Sequence, residues 1–440
     1  MSLKICDAPM GYGKSSSIIN LVNKDKGKEK YIIAVPYLSE VDRFVSAAGC
    51  IAPDEDKKKG KTKSSDLLSL VKEGKNIVCT HKLSELFFDA VLEECQKQNY
   101  TIIFDEFPDI LSVVSLTYSN DSDIQNLIRD KKINIDSSNY NKITWIYSNK
   151  QDPEKREKEI IELLKSRDLY YIGYGYLVSA FRSKTFEYFK KIIFCTYRYE
   201  NSYLDYYFKF FDLITPTEDT FLHIEKENDT YFFKDGYDKG YPDVSRIELA
   251  KQRYIEDGIK LSKTFCDNAV WDDTKIKGTK LFSLKKKACN FVRNCQEKDG
   301  TGVAAILWTT YKYDDKKNTD KKTGTNKKIN MKQALIDSQY LPEVYWEACN
   351  LLARDDLKER TIVCYLVGLY DNPNIKKFLS QKGIKIDINE FTLRMLIQFI
   401  WRSNLRVAES SKKVHILVAD MTARKLLVDW IEEAEKYNHI

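Results

Sequence analysis

Short apolar runs, separated by polar and glycine-bearing turns, recur along the first half of the chain. They fall at residues 3–6 (Leu-Lys-Ile-Cys), 31–35 (Tyr-Ile-Ile-Ala-Val), 76–79 (Asn-Ile-Val-Cys), 101–104 (Thr-Ile-Ile-Phe) and 191–195 (Lys-Ile-Ile-Phe-Cys). Runs this short, apolar at successive positions, predict strands buried on both faces. Helix-like segments lie between them, so the order predicts a doubly wound α/β fold around a parallel sheet. A second series, at 303–308, 361–367 and 414–418, predicts a second α/β domain. Between the two series, residues 216–285 are rich in aromatics and charges and are punctuated by Gly236, Gly240 and Pro242. They read as an inserted or linking segment. The expected division is 1–215, 216–285 and 286–440. No internal repeat at solenoid periods is present.

Residues 8–15 read Ala-Pro-Met-Gly-Tyr-Gly-Lys-Ser, directly after the first predicted strand and before an apolar helix expected at Ser16–Val22. Strand, glycine turn, Lys-Ser and helix are the context in which a chain cradles phosphates. Gly11 and Gly13 let backbone N–H groups converge on phosphate oxygens, and the helix N-terminus adds partial positive charge. The span Ala8, Pro9, Met10, Gly11, Tyr12, Gly13, Lys14, Ser15 and Ser16 is therefore the expected nucleotide-binding loop. Lys14 supplies a full charge for the β- and γ-phosphates, and the Ser15 hydroxyl is a hard ligand for Mg²⁺. The run 101–104 delivers Asp105 and Glu106 to a strand's C-terminal end, where open α/β sheets hold ligands. Asp105 is expected to hold Mg²⁺ through water and Glu106 to activate the attacking water.

Late in the chain, Asp387 and Glu390 are spaced as a capping box. The helix expected beyond them sets Arg394, Gln398, Arg402 and Arg406 at steps of four, one polar stripe among Leu396, Ile397, Ile400 and Leu405.

The Ala-x-x-Gly-x-Gly-Lys-Ser loop, the Asp105–Glu106 pair and their order resemble the superfamily-2 helicases of the DEAD/DEAH-like kind, in particular helicase-annotated proteins of phages and mobile elements. That resemblance implies two RecA-like domains that close on ATP and Mg²⁺. It implies that Pro36 and Tyr37 after the second strand, and Thr80 and His81 after the third, contact nucleic acid. Thr196, in Ile-Phe-Cys-Thr-Tyr-Arg-Tyr, matches the motif that couples hydrolysis to movement, and Ala-Ile-Leu-Trp-Thr-Thr (305–310) matches the opening strand of the second motor domain. The late stripe resembles a Gln-and-two-Arg motif facing ATP across the domain cleft. Gln398 belongs to it, and Arg402, then Arg406, is the expected arginine finger. Arg354 or Arg360 stands where another motif is expected before 361–367. The implied partner is a tracked single strand of nucleic acid, DNA sooner than RNA, with replication or recombination proteins as further partners. The oligomeric state is not legible.

Composition is compatible with this. Hydrophobic residues make up 43% and charged residues 31% of the 440, ordinary for a globular protein, and no apolar run approaches the roughly 20 residues of a membrane span. With no signal-peptide pattern at the N-terminus, a cytoplasmic location is expected. The net charge of +6, from 71 basic and 65 acidic residues, permits a nucleic-acid partner without requiring one. Lys-rich stretches at 57–63 and 316–328 can meet a phosphate backbone, although such runs are more often solvated loops, and the polar loop 312–330 reads as mobile. The ten cysteines form no Cys-x-x-Cys pair and only four histidines exist, so the cysteines read as reduced, mostly buried hydrophobes.

Three rival readings stand beside the motor. Asn149-Lys150-Gln151-Asp152 matches the guanine-reading pattern of GTPases, with Ser179-Ala180 further on, but position 108 is proline where a glycine would ride on a γ-phosphate. A packaging-type motor would want clustered nuclease carboxylates after the ATPase core. A nucleic-acid-binding module would not need Lys14, Ser15, Asp105 and Glu106 intact.

Overall fold

The computed structural model describes residues 2–25, 27–56, 61–114, 121–146, 155–238, 240–269, 280–311, 331–349 and 356–438. The Lys-rich positions 57–60 and 316–328, the loop 312–330, Asn149–Asp152 and Arg354 lie outside these residues. The chain forms two compact units, Met1–Gly240 with Asp371–Asp387, and Tyr241–Tyr370 with Ile388–Ile440.

The strands of the first unit, in chain order, are β1 (Ser2–Asp7), β2 (Tyr31–Val35), β3 (Ile77–Thr80), β4 (Thr101–Asp105), β5 (Leu111–Val114), β6 (Ile133–Asp136), β7 (Lys142–Trp145), β8 (Arg167–Tyr171), β9 (Leu177–Phe181), β10 (Lys191–Thr196), β11 (Phe221–Glu227) and β12 (Thr230–Asp235). Seven of them form a sheet in the order β12-β11-β1-β10-β4-β2-β3. It is parallel throughout except for the antiparallel edge pair β11–β12.

The predicted apolar runs become these strands because both faces are covered. Ile5, Ile32, Ala34, Ile102, Phe104, Ile192 and Phe194 enter one core. Their alternates Cys6, Ile33, Val35, Ile103, Ile193 and Cys195 enter another. Each fully buried Ile or Phe contributes about 1.5–3 kcal/mol through removal of apolar surface from water.

Between β4 and β10 of the first sheet, the strands β5 to β9 form a second, antiparallel sheet in the order β5-β9-β8-β7-β6. An aromatic cluster joins it to the parallel sheet. Phe104 stacks on Phe194 at 4.8 Å and meets Phe181 edge-on at 6.1 Å, and Phe181 stacks on Phe186 at 5.3 Å.

In the second unit β13 (Ile247–Leu249), β14 (Ile306–Thr309), β15 (Ile362–Tyr365) and β16 (Val414–Val418) form an all-parallel sheet in the order β13-β16-β15-β14. The two-sheet α/β architecture expected from the sequence is thus present. The segment 216–285 does not stand alone as a subdomain. Residues 221–235 complete the first sheet, closed by a two-residue turn with Asn228 and Asp229 at φ 47° and 62°, and residues 247–249 open the second. Aromatics in 216–235 pack against the parallel sheet, and that packing is invisible to a composition-based boundary.

Candidate nucleotide site

Parallel register brings the C-terminal ends of the central strands to one level. Asp7 on β1 is paired with Thr196 on β10, Cys195 on β10 with Asp105 on β4, and Val35 on β2 with Thr80 on β3. The loop 8–13 leaves β1 there and enters the helix Lys14–Asp25, which starts two residues before the predicted Ser16. Gly11 and Gly13 sit at φ 84° and 91°, a region closed to most side chains, so the bend depends on them. At Gly13 an added Cβ would also meet the Tyr231 ring of β12 at 2.3 Å. Ala8, in place of the usual first glycine, is buried, and its N–H donates to the Thr196 carbonyl at 3.0 Å.

Lys14 is 7% exposed, and its ammonium donates to the Ala8 carbonyl at 2.7 Å and the Pro9 carbonyl at 3.0 Å. The loop's own oxygens hold the charge over the cradle. The Ser15 hydroxyl donates to Asp105 Oδ2 at 2.5 Å, across 90 residues of sequence. Burial raises the Asp105 pKa above the usual carboxylate range and nearby Glu106 raises it further, while the Ser15 hydrogen bond, Lys14 and Arg43 oppose. Glu106 follows at φ 62°. A non-glycine residue there costs about 1–3 kcal/mol, and such strain gathers at sites where a side chain must be aimed. The structure therefore brings Lys14, Ser15, Asp105 and Glu106 to one strand-end level.

Thr196 is also there, buried at 1%, with its hydroxyl making no hydrogen bond. Two residues that sequence reasoning passed over join it. Asp7 is buried beside the loop, accepts the Tyr199 N–H at 3.0 Å, and has its pKa raised by burial against hydrogen bonds from the Tyr199 and Arg198 backbone. Its position directly before Ala8 was the available signal. Arg43, from the helix Leu38–Ala48, donates to the Ser16 hydroxyl at 3.4 Å.

The four residues expected to touch nucleic acid divide. Tyr37 is exposed and Pro36 partly so, at the end of β2. Thr80 instead caps the short helix His81–Ser84 by accepting the Leu83 N–H. His81 is buried and offers no surface to a strand. Burial pulls its pKa down to about 4, against the backbone groups of Ala34, Asp105 and Glu106 beside it. The histidine lies behind the acidic turn because the helix begins immediately at residue 81, which turns the side chain inward.

In the second unit the arginine stripe is not one solvated face. The helix Ile388–Ile400 ends before Arg402, and Arg406 lies in a 3₁₀ turn, Asn404–Arg406, so the four-residue step breaks. Arg394 and Arg402 are buried at 6% and 4%, and Gln398 is half-buried. Arg246 organises this turn. Its guanidinium donates to the carbonyls of Asn404 (3.0 Å), Leu405 (2.8 Å) and Val407 (2.9 Å). Arg360 is committed structurally, bonded to the Ala304 carbonyl and placed 4.5 Å over the Tyr345 ring. Among the described residues no helix is long and apolar enough to cross a membrane.

Residues 244–431 match the family model described as the YonV C-terminal Rossmann-like domain, in keeping with the parallel sheet there. The SPbeta prophage-derived uncharacterized protein YonV of Bacillus subtilis (strain 168) is 27% identical over 447 residues, which covers 98% of each chain. Two solved structures align more loosely. An Xpd4 protein of S. tokodaii covers 98% of this chain and 94% of its own at 11% identity and TM-score 0.44. An XPD helicase covers 99% and 95% at 12% identity and TM-score 0.46.

Proposed function

We propose that this protein hydrolyses ATP and uses the turnover to move along a nucleic-acid strand, as a helicase-like motor. The observation that carries the nucleotide part is the Ser15 hydroxyl bonded to the Asp105 carboxylate at 2.5 Å, beside a loop that holds the Lys14 ammonium on its own carbonyls. A hydroxyl and a buried carboxylate are hard oxygen donors, and the raised pKa of Asp105 marks a charge short of compensation, so the pair fits Mg²⁺. Mg²⁺, when bound, offsets negative charge on the β- and γ-phosphates.

The protein's own residues divide the remaining work. Lys14 exchanges the Ala8 and Pro9 carbonyls for phosphate oxygens. Asp105 orients the Ser15 hydroxyl, and the two would hold the metal. Glu106, aimed by its left-handed backbone, accepts the proton of the attacking water. Thr196 joins the loop to β10 and the chain that follows, where a coupling residue belongs.

The nucleic-acid part rests on the motif resemblance and on exposed Tyr37, and a prophage relative fits a phage setting. The test is ATP hydrolysis measured with single-stranded DNA, duplex DNA and RNA as separate stimulants. Turnover that rises with a single strand supports the motor. Turnover indifferent to all three removes it and leaves a plain ATPase. No turnover in wild type removes both.

A further inference from the structure

The inserted antiparallel sheet carries a feature that ATP hydrolysis does not use. Between β8 and β9 the chain reverses at residues 172–176. The Ile172 N–H donates to the Tyr176 carbonyl and the Tyr176 N–H to the Gly173 carbonyl, each at 3.1 Å. Tyr174 and Gly175 therefore occupy the two central positions of a tight turn, at φ 55° and 75°. Turns with both central residues left-handed suit the strand twist and ordinarily take Asn, Asp or Gly at the first position. A bulky aromatic there is a conformational outlier. The Tyr174 ring is also 79% exposed, and Tyr176 beside it 49%. Strained backbone and an apolar ring in water both work against folding, so the turn is not explained by packing.

A cation stands at its base. Lys377, on the helix Pro373–Ser380, places Nζ 5.1 Å from the Tyr174 ring centroid and 3.5 Å from where a Cβ on Gly173 would lie. That helix is anchored, with Phe378 4.9 Å from Tyr170 and 4.2 Å from Phe210. Lys376, next in sequence, is exposed as well. Exposed aromatic side chains on a tight turn, with the Lys377 ammonium beside one of them, match the needs of unpaired bases and their phosphates.

We propose that the 172–176 turn is a single-strand contact, with Tyr174 stacking on one base, Tyr176 on a neighbour and Lys377 meeting a phosphate. It adds a site to the nucleic-acid part of the motor reading and does not depend on hydrolysis.

Anisotropy of labelled oligothymidylate and oligouridylate tests it. Tyr174→Ala weakens binding about tenfold, within the roughly 5- to 150-fold that one stacked base is worth. Tyr174→Phe binds like wild type, because the ring and not the hydroxyl does the stacking. Tyr174→Gly binds as weakly as the alanine variant while its Tm rises, since glycine accepts the left-handed turn. That rise separates lost binding from lost folding. Lys377→Ala lowers affinity and flattens the salt dependence by about 0.7 in the log–log slope. Wild-type affinity in both Tyr174→Ala and Tyr174→Gly overturns the assignment, as does a wild-type protein that binds neither strand. ATP turnover without nucleic acid is expected unchanged in all four. An ATPase that is inactive even in wild type sinks the motor reading alone, because the anisotropy comparison does not use it.

Discussion

Each parallel sheet delivers an aspartate to the C-terminal end of a strand, and the two are used in opposite ways. Asp105 ends β4 with the Ser15 hydroxyl as its hydrogen-bond partner. Asp420, two residues past β16 and 0% exposed, accepts the Leu261 N–H at 2.7 Å, the Ala423 N–H at 3.0 Å and the Tyr370 hydroxyl at 2.9 Å. Its oxygens are spent holding the loop before residue 263 and the start of the helix Met421–Asn438. Topology puts a carboxylate at the edge of a parallel sheet in both cases. Only the local donors decide whether it can serve a ligand. A buried carboxylate with one donor still has lone pairs to give; a fully bonded one is a structural tie.

The largest expected effect lies on the first of these. Lys14→Ala should cost about 10³-fold or more in turnover, the scale of removing a preorganised charge from developing phosphate charge. Asp105→Asn should lose about 10²–10³-fold while Tm holds or rises, since a desolvated carboxylate leaves the core. Chelation of Mg²⁺ should abolish turnover in wild type. If Asp105→Asn turns over normally, the contrast between the two aspartates is false. Glu106→Gln should bind nucleotide as wild type and hydrolyse about 10²–10⁴-fold more slowly, the range of a lost general base. Measuring binding and single-turnover hydrolysis separately reads the two apart.

The second aspartate predicts the reverse pattern. Asp420→Ala strands the buried Leu261 and Ala423 N–H groups, each costing about 1–3 kcal/mol when unmet, and frees the half-buried Tyr370 hydroxyl. Denaturant midpoints should fall by the equivalent of about 3 kcal/mol or more. Gly368→Ala probes the same tie from the other side, because a Cβ there would meet Asp420 Oδ2 at 2.6 Å and the Leu261 carbonyl at 3.0 Å. Overpacking of this kind costs about 1–3 kcal/mol. A Gly368→Ala protein as stable as wild type would mean that the Asp420 network yields easily.

How much of this was legible in the chain follows from where the deciding forces lie. Gly11, Gly13, Lys14 and Ser15 are local in sequence, so their cradle could be read directly. The strand carrying Asp105 could be read from Ile102, Ile103 and Phe104, which are apolar on successive positions. The inserted sheet could not, because β5 to β9 are strands of four or five residues without one common pattern, and contacts distant in sequence, such as Phe104 with Phe181, hold them in place. The arginine stripe departs from the periodicity after Ile400. A four-residue step assumes a helix that continues, and here Arg246, from 148 positions earlier than Arg394, holds residues 404–407 in a turn. Periodicity carries no record of such a partner. The expectation for Arg402 is checked by Arg402→Ala, whose nucleotide affinity should stay within a few-fold of wild type while turnover falls. A loss of Tm with no selective loss of turnover would give that buried side chain a structural role instead.

The smallest effect sharpens the comparison at the strand end itself. His81 was expected to grip nucleic acid, yet it sits behind Asp105 and Glu106, neutral at physiological pH because burial holds its pKa near about 4. Its Nε2 makes no hydrogen bond, and its ring lies 6.5 Å from that of Phe104. His81→Phe puts a larger, apolar ring in a buried site, so stability should fall by about 1–3 kcal/mol. If the imidazole holds the strained Glu106 backbone through its neighbouring carbonyls, turnover falls by less than about tenfold, with nucleotide affinity unchanged. Strand affinity should be untouched, because the side chain is almost wholly buried. The opposite split, turnover intact and strand affinity lost, would return His81 to the nucleic-acid face and mean that the helix beginning at residue 81 opens when a strand is bound.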